Sequence, residues 1–88
     1  MKDMKVDFSR VIIKDIDGND VTADFQKQIG NQLYMTGRNI TECELGQRIY
    51  HADGAVELTD KEREIVRNVI AGYSYVARTG IEKLLTED

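Results

Sequence analysis

Residues 11–21 read VIIKDIDGNDV, and this segment distinguishes an α+β chain from an all-helical one. Its β-branched residues are dense and form no helical stripe, which predicts a strand that runs from Val6 to Ile16. The following residues, 17–20, predict a turn, because glycine accepts a positive φ and Asp and Asn side chains hydrogen-bond to their own backbone. A short returning strand would follow. We therefore expect a β-hairpin over residues 5–23.

The remainder of the chain has the periodicity and the capping residues of three helices. Apolar residues recur every four positions in residues 24–36, which predicts the first helix. Thr41 opens a capping box that predicts a second helix over 41–52, and Thr59 opens another that predicts a third helix over 59–85. The predicted fold is α+β: an N-terminal β-hairpin followed by three helices, the C-terminal one longest.

The predicted third helix is longer than a domain of this size is wide. About 25 residues at 1.5 Å each give a helix of roughly 37 Å. A compact chain of 88 residues has a radius of gyration of about 12 Å. We therefore expect one end of this helix to overhang the fold or to pack on another chain.

Composition limits both the size of the fold and its partners. The 88 residues are enough for a single small domain, residues 1–88. Twelve Lys and Arg against sixteen Asp and Glu give a net charge of −4, which argues against a nucleic-acid or anionic-membrane surface. Charges near the N-terminus interrupt any signal-peptide core, and no uncharged run is long enough to span a bilayer. The sequence predicts a cytoplasmic protein.

Residues that could perform catalysis are few and badly spaced. Cys43 and His51 are the candidate nucleophile and base, but eight residues along one helix separate them by about 12 Å. Ser9 and Ser74 have no accompanying base or nucleophile elbow. The glycines form no phosphate-binding loop. We therefore expect no catalytic residues, no cofactor and no enzyme activity.

The turn of the predicted hairpin carries a partial calcium-binding pattern. Asp15, Asp17 and Asn19 occupy the first, third and fifth positions of an EF-hand loop. Asp20 stands where that loop needs glycine, and Gln26 stands where it needs a bidentate glutamate. The pattern favours a hairpin turn without a metal site, and whether the turn binds any ion is left open.

Four glycines lie inside the predicted helices: Gly30, Gly46, Gly72 and Gly80. Each costs about 1 kcal/mol relative to alanine in a helix interior, so close packing must offset the cost. That packing occurs either within one chain or against another protomer near the last two glycines. Two tyrosines close to them lie about 200° apart around a helix, so both cannot face one core. We predict a binding interface made of Tyr73, Tyr75, Val76, Gly80 and Leu84.

A second hypothesis is a small regulator that binds nucleic acid through the second and third helices. The connection between those helices resembles a helix-turn-helix linker. The third helix opens with TDKEREIVRN, residues 59–68, in which acidic and basic side chains nearly cancel. Because the phosphate backbone requires positive charge, this pattern makes a nucleic-acid partner the weaker alternative.

Four segments together resemble a loose family of small prophage-encoded proteins. They are VIIKDIDGNDV, ADFQKQIGNQLY, ELGQRIYHADG and VELTDKEREIVRNVI, and the resemblance covers most of positions 5–85. It implies a noncatalytic accessory or assembly role and supplies no active-site residues. The chain departs from the family outline at Gly72 and Gly80. The resulting expectation is a protein that self-associates or docks another phage protein through its C-terminal helix.

Overall fold

The computed structural model describes residues 3–86, which form four helices and two small antiparallel sheets. This arrangement confirms the predicted α+β class. The elements in chain order are β1 (Met4–Val6), β2 (Val11–Lys14), β3 (Asp20–Ala23), α1 (Gln26–Thr36), α2 (Ile40–Tyr50), β4 (Val56–Leu58), α3 (Asp60–Ile70) and α4 (Tyr75–Thr86). The predicted order of one hairpin and then three helices is wrong, because β4 lies between α2 and α3 and the last helix is divided.

The hairpin forms from β2 and β3, which pair in antiparallel register from Val11↔Ala23 to Lys14↔Asp20. The predicted strand from Val6 to Ile16 is too long, because a turn at residues 7–10 divides it. The Asp7 carboxylate accepts a hydrogen bond from the Ser9 amide at 3.0 Å and so closes this turn. β1 therefore separates from the hairpin and is free to pair elsewhere.

The partner of β1 is β4, a segment predicted only as an extended link. The two strands are antiparallel, with Met4 opposite Leu58 and Val6 opposite Val56. Val56 and Leu58 are buried while Glu57 between them is exposed, as expected for a strand with one face on the core. This sheet joins β1 to the strand that leads directly into α3.

The predicted single helix over 59–85 is wrong, because residues 71–74 separate α3 from α4. Ser74 caps the new helix: its hydroxyl accepts a hydrogen bond from the Ala77 amide at 3.3 Å. Gly72, predicted as a helix-interior glycine, lies in this break with open space around it. Since neither half exceeds 12 residues, the expected overhang of one long helix is also wrong.

The capping residue predicted from the sequence is confirmed at α3 and is wrong at α2. The Thr59 hydroxyl accepts from the Glu62 amide at 3.2 Å, and the Glu62 carboxylate accepts from the Thr59 amide at 2.9 Å, which confirms that capping box. At α2 the cap is Asn39 rather than Thr41, because the Asn39 side chain accepts from the Glu42 amide at 2.9 Å.

One cluster of buried apolar side chains connects all four helices with β1, β2 and β4. Its members are almost completely buried: Val6, Phe8, Val11, Ile29, Leu33, Leu45, Ile49, Val56, Leu58, Val66, Ile70, Ile81 and Leu85. Within residues 3–86, no helix combines the length and the apolar character needed to cross a bilayer.

Candidate functional site

An open groove of about 340 Å³ lies between β2 and α4, and we call it the α4–β2 groove. Its apolar walls are Ile12 on the strand and Tyr75 and Val76 on the first turn of the helix. These side chains are 46%, 73% and 45% exposed, although each is large and apolar or aromatic. The groove is therefore a cleft whose apolar walls face solvent.

Gly80 determines how closely α4 approaches β2 at the floor of this groove. A Cβ at this position would lie 2.8 Å from the Ile12 carbonyl oxygen and 2.8 Å from the Ile13 Cγ2. Such distances are too short for any real side chain, so the contact requires glycine. Gly80 thus packs closely against its own chain. Of the two explanations for this glycine, packing within one chain or against another protomer, the first applies.

The residues predicted as an interface divide into two groups. Tyr75, Val76 and Gly80 line the groove. Tyr73 and Leu84 are partly buried and pack against the core. The structure thus brings three of the five predicted residues together and places the other two with the core. Ile12, which faces them across the groove, was missed because the exposed face of a strand depends on what packs against it.

Tyr73 is partly buried, and its side chain packs against the core. Its ring centroid lies 6.3 Å from that of Phe25, and its hydroxyl is buried without a hydrogen-bond partner among residues 3–86. Desolvation by burial raises the pKa of Tyr73. The expectation that only one of Tyr73 and Tyr75 faces the core agrees with their positions, although they do not share one continuous helix.

The rim of the groove carries more positive than negative charge, because it contains two lysines, Lys14 and Lys83, and one carboxylate, Asp20. Lys14 forms an ion pair with Asp20 at 2.5 Å, and its hydrogen bond and charge lower the pKa of that carboxyl, with a smaller contribution from Lys83. Arg78 is not part of the groove lining, and its guanidinium lies 5.8 Å from the Tyr75 ring centroid. Two lysines and one carboxylate, Lys14, Lys83 and Asp20, therefore border an apolar cleft on a chain of net charge −4.

Beyond this groove, the hairpin turns at Asp15-Ile16-Asp17, which we call the hairpin tip. The Asp15 carboxylate accepts hydrogen bonds from the amides of Asp17 at 3.0 Å and Asn19 at 2.8 Å. Gly18 adopts a φ of 85°, which completes the turn. Of the three residues in the calcium-like pattern, Asp15 uses its carboxylate in the turn, while Asp17 and Asn19 take part through their backbone amides. Among residues 3–86 no group of three or more His, Cys, Asp or Glu side chains is placed to hold a metal ion.

The candidate nucleophile and base lie near opposite ends of α2. Cys43 lies in the first turn of α2, where its thiol is 3.6 Å from the Tyr34 carbonyl oxygen. The His51 ring stacks edge-on against Tyr50, with centroids 5.0 Å apart, just beyond the last turn. Their contacts are with different residues, and the fold does not form a dyad from them.

The two arginines of α3 are engaged by carboxylates, whereas Lys61 is exposed. Arg67 pairs with Glu64 at 2.8 Å and with Glu82 at 3.3 Å, and Arg63 pairs with Asp60. This neutralisation gives the nucleic-acid alternative no specific support, because a phosphate would have to compete with intramolecular carboxylates.

Comparison with protein-family models, with curated proteins and with solved structures finds no match to this chain. The resemblance to small prophage proteins therefore stays a prediction.

Proposed function

We propose that this protein is a noncatalytic interaction module that docks a segment of protein in the α4–β2 groove, as an accessory or assembly factor. The observation that carries this proposal is the exposure of Ile12, Tyr75 and Val76 on the two walls of one groove. Their side chains lie outside the buried core cluster, so the fold does not cover them.

The composition of the groove favours a protein segment as its occupant. Protein interfaces have an apolar centre, often with tyrosine, surrounded by a polar rim. Here an aliphatic and aromatic centre is bordered by Lys14, Asp20 and Lys83. Apolar walls supply the affinity through burial, and the charged rim supplies orientation. The prophage resemblance supports an assembly setting for such docking.

Selection from a random-peptide display library tests this function. Wild-type protein is expected to enrich peptides that share apolar anchor residues. Val76→Glu places a charge on the groove wall and should weaken their binding about tenfold or more. Met35→Glu is the matched control, because Met35 is 71% exposed and does not line the groove.

Two results together would contradict the proposal. The first is that wild-type protein enriches no consensus peptide whose binding is weakened by Val76→Glu. The second is that wild-type protein shows no self-association that Val76→Glu weakens. Either kind of binding at the groove supports it.

A further inference from the structure

The hairpin tip presents an isoleucine that packs against nothing. Ile16 is fully exposed, at 101%, between the carboxylates of Asp15 and Asp17. Besides the two carboxylate hydrogen bonds described above, the Asp15 amide donates to the Asn19 carbonyl at 3.0 Å and the Gly18 amide donates to the Asp15 carbonyl at 3.0 Å. A turn held this firmly loses little conformational entropy on binding, so the tip is preorganised as an apolar anchor.

The charges of tip and groove are complementary. The Asp17 side chain makes no hydrogen bond or ion pair with residues 3–86, and the same holds for the Lys83 amine at the rim of the groove. The tip thus offers one apolar side chain flanked by carboxylates. The groove offers an apolar cleft bordered by Lys14, Asp20 and Lys83, so that its rim carries one net positive charge.

We infer that the occupant of the α4–β2 groove is the hairpin tip of a second copy of this chain. This inference rests on the docking function proposed above. Ile16 of one copy enters the groove of the other between Ile12 and Val76, and its flanking carboxylates meet the lysines of the rim. The site is incomplete without the second copy, because the anchor comes from that copy.

Geometry makes this contact intermolecular. β2 forms one wall of the groove, and Ile16 lies two residues beyond the end of that same strand, so the tip cannot fold back into its own cleft. Each copy carries one tip and one groove. A two-fold arrangement therefore satisfies both contacts at once and closes at a dimer.

Sedimentation velocity over a range of concentrations measures this association. Wild-type protein is expected to shift from monomer toward dimer as concentration rises. Ile16→Ser removes the anchor without removing any intrachain contact, and it should weaken dimerisation about tenfold or more. Ile40→Ser is the matched control, since Ile40 is 71% exposed and lies outside the groove. This control should dimerise like wild type.

A charge exchange tests the pairing itself. Asp17→Lys and Lys83→Glu each place like charges at both contacts of a two-fold dimer, so each variant alone should be mainly monomeric. An equimolar mixture of the two restores opposite charges at both contacts and should dimerise. Lys61→Glu, an exposed change at the start of α3, should leave the wild-type equilibrium unchanged.

Three outcomes would overturn the inference: a wild type that stays monomeric at every concentration, an Ile16→Ser variant that dimerises like wild type, or a mixture that stays monomeric. If wild type is monomeric while display peptides still bind the groove, the second copy is the wrong occupant and the docking function stands. If neither peptides nor a second copy bind, the docking function fails as well.

Discussion

Gly30 on α1 and Gly46 on α2 face each other so closely that each excludes a side chain from the other. A Cβ on Gly30 would lie 2.8 Å from the Gly46 carbonyl oxygen, and a Cβ on Gly46 would lie 2.7 Å from the Gly30 carbonyl oxygen. The two helices thus form an antiparallel hairpin with backbone against backbone. This contact explains why the chain tolerates glycine inside two helices.

Gly46→Ala is expected to destabilise the protein. Alanine has the higher helix propensity by about 1 kcal/mol, but its methyl group would meet backbone atoms, and overpacking of this kind costs about 1–3 kcal/mol or more. We expect a net fall in the free energy of unfolding, measured by urea denaturation. Gly72→Ala is the matched control: nothing lies within 4 Å of its added Cβ, so it should be neutral or stabilising. Equal effects at both glycines would contradict the argument.

The side chain of Gln26 closes the open end of α2. From the first turn of α1 its amide nitrogen donates to the carbonyls of Ile49 at 3.0 Å and Ala52 at 2.6 Å. Gln26→Leu leaves these carbonyls without that donor and should lower the free energy of unfolding by about 1–2 kcal/mol. Gln28→Leu, at an exposed position on the same helix, should change it by less than about 0.5 kcal/mol. A Gln26 effect no larger than the control would show that water caps α2 equally well.

The features that could be predicted from sequence are those fixed by neighbouring residues. The hairpin turn, which lies at residues 15–19 and not at the predicted 17–20, and the capping box at Thr59 both depend on side chains that bond to backbone a few residues away. The β1–β4 sheet could not be predicted, because it pairs two three-residue strands about 50 positions apart. Nothing in either short segment identifies its partner.

The break between α3 and α4 was hidden by the spacing of apolar residues. Ile70, Tyr73, Ala77 and Ile81 keep the three- and four-residue intervals of one helix, so the stripe continues through the break. Gly72 and the capping residue Ser74 were the available signals. The groove was predictable only on its helical side, because the strand side depends on how α4 packs on β2.

Glu62 should make stability depend on acid pH. Burial raises the pKa of this carboxyl, but the ion pair with Arg48 at 2.9 Å and the hydrogen bond from the Thr59 amide outweigh burial and lower it. Because the folded pKa lies below the unfolded one, this stabilisation is present above about pH 4.5 and is lost as pH falls through the folded pKa. Glu62→Gln should therefore be less stable than wild type at neutral pH, by about 0.5–1 kcal/mol.

Urea denaturation of both proteins at neutral pH and near pH 3 checks this expectation, and the difference should shrink in acid. Glu64→Gln serves as the control, since its carboxylate pairs with Arg67 at the surface and lies outside the capping box. A Glu62→Gln deficit that persists unchanged in acid would assign the effect to packing instead of charge.

Tyr73→Phe is expected to stabilise the protein, because it removes a buried hydroxyl that has no hydrogen-bond partner among residues 3–86. The gain should be about 1 kcal/mol at neutral pH.

Burial raises the pKa of Tyr73, so the hydroxyl stays protonated in the fold at a pH where the unfolded chain ionises. Wild-type stability should therefore fall as pH rises above about 10, and the advantage of the phenylalanine variant should widen there. Thermal unfolding at neutral and alkaline pH measures both effects. Tyr75→Phe is the control: its ring is exposed, so this variant should match wild type at each pH. A Tyr73→Phe protein that is less stable than wild type would show that the Tyr73 hydroxyl forms a hydrogen bond in solution.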